Sequence, residues 1–166
     1  MYKKITLPIL IFGSLLLTQC ATYYDKVVSF HNYLNKGDYS SAQIFLKSNK
    51  YLHKKKNEVL YYLELGKTYH LKGDYDSSNI CFNKADLIMG ENHQLNYLVV
   101  SLLVNENSTY YTGEDIERVL IHYYKALNYY YLLKYDDAIV EAKQMNLTLE
   151  NLNEKRGSAL QFRIAF

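Results

Sequence analysis

From Tyr23 onward, apolar residues recur at three- and four-residue spacing, and few runs alternate apolar with polar as half-buried strands do. The long periodic stretches are separated by turn signals at Lys36-Gly37-Asp38, Lys72-Gly73-Asp74 and Asn105 to Glu114. Proline, the strongest helix breaker, occurs once, at Pro8, so nothing after it interrupts a helix by removing an N–H donor. The pattern predicts an all-α chain. It includes a helix that ends near Val104 before a loop, and a last helix over about 136–154.

Aligning the turns exposes an internal repeat. LNKGDYSSAQIFL (34–46) and HLKGDYDSSNICF (70–82) both set Gly-Asp-Tyr between two helical stretches, with their glycines 36 residues apart. In the second unit, 59–92, Tyr62, Leu65, Gly66 and Tyr69 precede the turn, and Ser78, Phe82 and Ala85 follow it. Small residues at Gly66, Ser78 and Ala85 let two helices approach, while Tyr69, Tyr75 and Phe82 fill the space between. This spacing resembles tetratricopeptide repeats, with Gly90 where a closing proline is usual. A first unit over about 23–54 keeps Tyr33, Gly37, Tyr39, Ala42 and Leu46. A third, 119–152, keeps Ala126, Tyr129, Tyr135, Ala138 and Ala142 but has Leu133-Lys134 in place of Gly-Asp. The resemblance implies helix–turn–helix units stacked as a short right-handed solenoid, with an inserted helix and loop at 93–118. Tyr111, Gly113, Glu114 and Asp115, together with Val140, Glu141 and Ala142, resemble segments of a family of largely uncharacterised bacterial lipoproteins with such helices. That family implies a scaffold and a location, and no established activity.

The first residues bear on location. Lys3 and Lys4 precede an apolar run of about 13 residues, Ile5 to Leu17, where a membrane-spanning helix needs roughly 20. Residues 1–19 therefore read as a removable signal. Leu17-Thr18-Gln19-Cys20 resembles a lipobox, which implies acylation of Cys20, although Gln19 stands where a small residue is usual. Ala21 rather than an acid after the cysteine points to the outer membrane by the usual sorting habit. Removing the leader takes two of the 19 basic residues and none of the 17 acidic ones, so the formal charge of +2 disappears and no basic surface for nucleic acid remains. With Cys20 acylated, only Cys81 is left, and one thiol forms no internal disulfide.

The chemistry-bearing residues are few. Gly66-Lys67-Thr68 looks like the end of a phosphate loop but has Tyr61 where the required earlier glycine belongs and lies within a helix. The five histidines include no pair at three- or four-residue spacing, and no serine sits on a nucleophile-bearing turn. The expectation is no catalysis, no cofactor and no metal. The 19 tyrosines are the unusual feature: most suit a repeat core with the hydroxyl at its rim. The repeat register also places Leu63, Lys67, His70, Tyr123, Leu127, Tyr130 and Tyr131 along a concave groove suited to a peptide or glycan. It lacks the paired Asn and Lys arrangement that clamps a peptide carboxylate. His122, Lys125 and Asn128 form a polar stripe on an otherwise apolar helix; the simpler expectation is that it faces solvent, the alternative that Lys125 meets Glu141. Residues 155–166 read as an irregular apolar tail of a shortened product, or as a segment that docks in the groove. The expected function is a lipid-anchored scaffold that binds another envelope protein or a peptide, with a glycan- or peptidoglycan-binding lipoprotein as the alternative.

Overall fold

The computed structural model describes residues 23–102 and 111–156. The expected signal segment, Cys20, residues 103–110 and the expected tail from residue 157 lie outside the described residues. Within them the chain is all-helical, without a strand. Helix α1 (Tyr23–Asn35) and α2 (Tyr39–Ser48) form a first hairpin. A 3₁₀ turn (Lys55–Asn57) leads into α3 (Glu58–Lys72) and α4 (Tyr75–Leu102), followed by α5 (Asp115–Tyr131) and α6 (Tyr135–Arg156). Each helix packs on its neighbours in sequence, and α3 also touches α5.

The three hairpin turns share one geometry. Gly37, Gly73 and Leu133 each adopt positive φ, at 71°, 84° and 59°. In each turn this residue donates its N–H to the carbonyl three residues back (Leu34, His70, Tyr130). The next residue donates five residues back (Tyr33, Tyr69, Tyr129), at 2.9–3.0 Å throughout. This is the Schellman closure, which satisfies carbonyls that a helix end otherwise leaves open. Asp38 and Asp74 then cap the following helices, accepting from the N–H of Ser41 at 3.0 Å and of Ser77 at 3.2 Å. At the third turn Lys134 supplies no such acceptor. The same backbone is therefore built there without the two residue types that favour it.

Apolar burial proceeds in three linked clusters. Val27, Phe30, Ala42, Leu46, Leu52, Leu65 and Cys81 join the first hairpin to the second. Val59, Phe82, Ala85, Met89 and Ile121 join the second to α5, and Val119, Met145 and Leu149 hold α6 on α5. Tyr33, Tyr51, Tyr61, Tyr62 and Tyr69 are half-buried around the first cluster, apolar bodies inward. Burial pushes the Cys81 thiol up to about 11, so this cysteine is an unreactive core residue.

The boundary expected near residue 92 is absent. Helix α4 continues unbroken through Gly90 to Leu102, so the inserted helix is an extension of the second unit's second helix. A mid-helix glycine costs about 1 kcal/mol but keeps its N–H, and without a proline nothing stops the ladder. Gly113 at φ 78° lies so close to Met89 that a Cβ there would collide with Met89 Cε. Glu114 and Glu117 then cap α5 reciprocally, and Tyr111 donates its hydroxyl to Glu117 Oε2 at 2.6 Å. The segment Tyr111-x-Gly113-Glu114-Asp115 is thus the device that starts α5 against α4.

Leu133→Gly is expected to stabilise the protein by about 1 kcal/mol, because a non-glycine residue at positive φ costs roughly that much. Its side chain is 71% exposed, so little packing is lost. Urea unfolding of the variant beside the wild type checks this.

Candidate functional site

Helices α3 and α5 diverge around a cleft of about 190 Å³. Leu63, Glu64 and Lys67 form its α3 wall, Glu117, Leu120, Ile121 and Tyr124 its α5 wall, and Phe82 of α4 its floor. The floor is positioned by a close helix approach. A Cβ on Gly66 meets the Phe82 ring at 3.0 Å, and Ser78 Oγ donates to the Gly66 carbonyl at 2.8 Å. Phe82 then stacks on Tyr124 at 5.4 Å. Burial raises the Tyr124 hydroxyl pKa, with Tyr123 and Glu64 adding to the effect, so the phenol stays protonated as a donor. Glu64 lies 3.9 Å from Lys67, and Glu117 is already engaged by the Glu114 N–H and Tyr111. The cleft is therefore an apolar slot with charged groups at its edge, a shape that holds one bulky side chain of a ligand.

From this slot a run of rings extends along the surface. His70 meets Tyr124 edge-on at 4.9 Å and lies 5.8 Å from Tyr75, which stacks on Tyr131 at 4.9 Å. Tyr130 packs against Tyr131 at 6.0 Å and Tyr135 at 5.8 Å. Tyr130, Tyr131 and Tyr135 are more than half exposed.

Five of the seven residues expected in a groove fall into two places, and two lie apart from both. Leu63 and Lys67 line the cleft; His70, Tyr130 and Tyr131 belong to the ring series; Tyr123 packs edge-on against Tyr124; and Leu127 is half-buried on α5. Equal repeat register had selected the same face of both helices. A slot between neighbours is instead lined by facing flanks, which on α5 are Glu117, Leu120, Ile121 and Tyr124. Their i, i+3, i+4, i+7 spacing was present in the sequence, but the flank that faces α3 depends on how the hairpins pack.

The polar stripe of α5 is buried, not solvated. Lys125 Nζ lies 2.6 Å from Glu141 Oε1 and His122 Nδ1 lies 2.8 Å from Glu141 Oε2, each side chain about one-tenth exposed. The expectation of a solvent-facing stripe is thereby corrected. α6 lies directly over it, and the alternative pairing with Glu141 meets the cost of a buried ammonium. One turn on, fully buried Asn128 turns the other way. Its Nδ2 donates to Ser78 Oγ at 2.9 Å and Asn79 Oδ1 at 2.8 Å, and its Oδ1 lies 2.6 Å from His70 Nδ1. Since the amide nitrogen already donates twice, the oxygen is the acceptor and His70 carries the proton on Nδ1.

Gly66, Lys67 and Thr68 sit mid-helix, with Thr68 Oγ1 donating to the Glu64 carbonyl at 2.7 Å, so the phosphate-loop likeness is one of letters only. Among the described residues no group of three or more His, Cys, Asp or Glu is placed to hold a metal ion, and no helix is long and apolar enough to cross a membrane. The chain matches no protein-family model, no curated protein and no solved structure.

Asn128→Ala is expected to destabilise the fold by about 2–4 kcal/mol, since it opens a cavity and leaves Ser78, Asn79 and His70 without their shared partner. Chemical denaturation measures it.

For Glu141, burial pushes the carboxyl up, but hydrogen bonds from His122 and Lys125 with their charge outweigh it and hold it below its ordinary 4.5. A depressed folded-state value contributes stability that is complete above about pH 4.5 and is lost as pH falls through that lower value. The stability gap between wild type and Glu141→Gln should therefore shrink as pH falls below about 4.5, as read by urea unfolding at each pH. Lys125→Met alone is expected to cost about 2 kcal/mol, and Lys125→Met with Glu141→Leu much less.

Proposed function

We propose that this chain is a lipid-anchored scaffold of the bacterial cell envelope, whose hairpins stack in the tetratricopeptide manner and which binds another protein or a peptide without catalysing a reaction. The observation that carries this reading is the cleft between α3 and α5. It is an open apolar slot of side-chain size, lined by Leu63, Leu120, Ile121 and Tyr124 with Phe82 beneath. The two walls are the first helices of successive hairpins, the surface on which such repeats receive ligands. The identical turn geometry at residues 37, 73 and 133 supports stacked units. The anchor rests on the lipobox-like Leu17-Thr18-Gln19-Cys20, and the outer membrane on Ala21.

A second reading, a lipoprotein that binds glycan or peptidoglycan fragments, draws on the exposed rings of Tyr130, Tyr131 and Tyr135 beside the Tyr75–Tyr131 stack. Rigid aromatic faces suit sugar rings as well as peptides.

The test is made on the full chain in a bacterial host. The membrane-associated protein should carry the mass of acyl chains, and Cys20→Ala should not. A photo-crosslinking residue at Leu120 should capture one discrete envelope protein, and Leu63→Asp should lower that capture about tenfold, the equivalent of about 1.4 kcal/mol. An unmodified mass overturns the anchor; release of the protein from a peptidoglycan matrix by soluble sugar, with no protein captured, favours the second reading.

A further inference from the structure

The lining of the α3–α5 cleft is uneven in charge. Glu64 on α3 and Glu117 on α5 stand on its two walls, with Lys67 as the cation among its described lining residues. These groups do not meet water equally. The Lys67 side chain is 39% exposed and keeps its ammonium solvated, whereas that of Glu64 is 16% exposed and is screened less. The charge of Glu64 reaches Tyr124, where it adds to burial and to Tyr123 in holding the proton on the phenol.

Glu117 is fixed by the start of its own helix. The Glu114 N–H donates to it at 2.8 Å and the Tyr111 hydroxyl at 2.6 Å, and both bonds end on the same oxygen, Oε2. The other oxygen, Oε1, accepts from no donor among the described residues. A carboxylate oriented in this way presents an open acceptor that a ligand need not order.

This lining discriminates between occupants. An apolar side chain strips water from two carboxylates and gives them no partner, which burial penalises heavily. An acidic one adds a third negative charge. A lysine has the right sign, but its compact, strongly hydrated ammonium makes little use of an aromatic floor. A guanidinium suits the whole lining. It is weakly hydrated, its planar fork of donors can meet carboxylates on two walls, and it stacks on aromatic faces of the kind Phe82 and Tyr124 provide. The methylene stem behind it packs on Leu63 and Leu120.

We propose that the α3–α5 cleft takes an arginine side chain of the bound partner, its guanidinium between Glu64 and Glu117 and against the Tyr124 ring. This rests on the reading of the cleft as a protein- or peptide-binding site and names the residue that enters it.

The experiment titrates the purified full chain in detergent with short alanine peptides that carry arginine, lysine, citrulline, leucine or phenylalanine at their centre. Methyl NMR signals of Leu63, Leu120 and Ile121 report on the cleft itself. Citrulline has the shape of arginine without its charge. The arginine peptide should shift these signals with the highest affinity of the set, and citrulline should bind at least about tenfold more weakly, about 1.4 kcal/mol. Glu117→Gln should bring arginine and citrulline to equal affinity, and it keeps the reciprocal cap, which glutamine also makes. Lys67→Met should widen the gap between arginine and citrulline, a gain that no loss of folding imitates. Equal binding of arginine and citrulline by the wild type, or tighter binding of leucine or phenylalanine, overturns the arginine assignment and leaves the cleft a peptide site. No shift with any peptide overturns the assignment as well, while protein capture at Leu120 separately decides the reading of the cleft, so the two failures are told apart.

Discussion

A single buried amide, Asn128, sets the position of the second hairpin against α5. It is fully enclosed, and in the protein interior each of its donors and its acceptor must find a partner or lose the free energy of a hydrogen bond to water. It finds Ser78 and Asn79 on α4 and His70 on α3, so three helices are tied at one side chain. Apolar contacts alone are tolerant of sliding by a turn. A fully satisfied amide is not, and here it fixes the register of α5 on the two helices before it.

From that point the geometry of the cleft follows. Ser78 accepts from Asn128 and donates to the Gly66 carbonyl, which draws α4 onto α3 where Gly66 has no side chain to hold them apart. Phe82, one turn along α4, then lies on Gly66 and presents its face to Tyr124. The same contacts that secure the core shape the floor and one wall of the slot. At the other end of α5 a separate device, the Glu114–Glu117 reciprocal cap with Tyr111, starts the helix in the right place.

The hairpins are alike in backbone and unlike in what they bury. The first relies on apolar residues at Val27, Phe30, Ala42 and Leu46, while the third holds α6 with the Lys125–Glu141–His122 group beside Val119, Met145 and Leu149. Such a charged group contributes less net stability than apolar packing of equal volume, but it admits few alternative arrangements of α6 on α5. The third turn shows the same substitution of means, since Leu133 holds the conformation that glycine takes in the other two.

The sequence by itself determined the helical class, the hairpin turns at Gly37 and Gly73, and the small-against-large pattern at Gly66, Ser78 and Phe82, because these depend on local periodicity and on backbone freedom within a few residues. It also held the Glu141 pairing as an open alternative. Tertiary structure decided that the stripe His122, Lys125, Asn128 is buried and divided between two neighbours, because burial of a helix flank depends on the helix laid over it. It likewise decided that α4 runs on to Leu102 and that the slot is lined by Glu117, Leu120, Ile121 and Tyr124 rather than by the repeat equivalents of Leu63 and Lys67. A repeat register states which residues occupy like positions in separate hairpins; only the packing angle between hairpins states which of their flanks face each other.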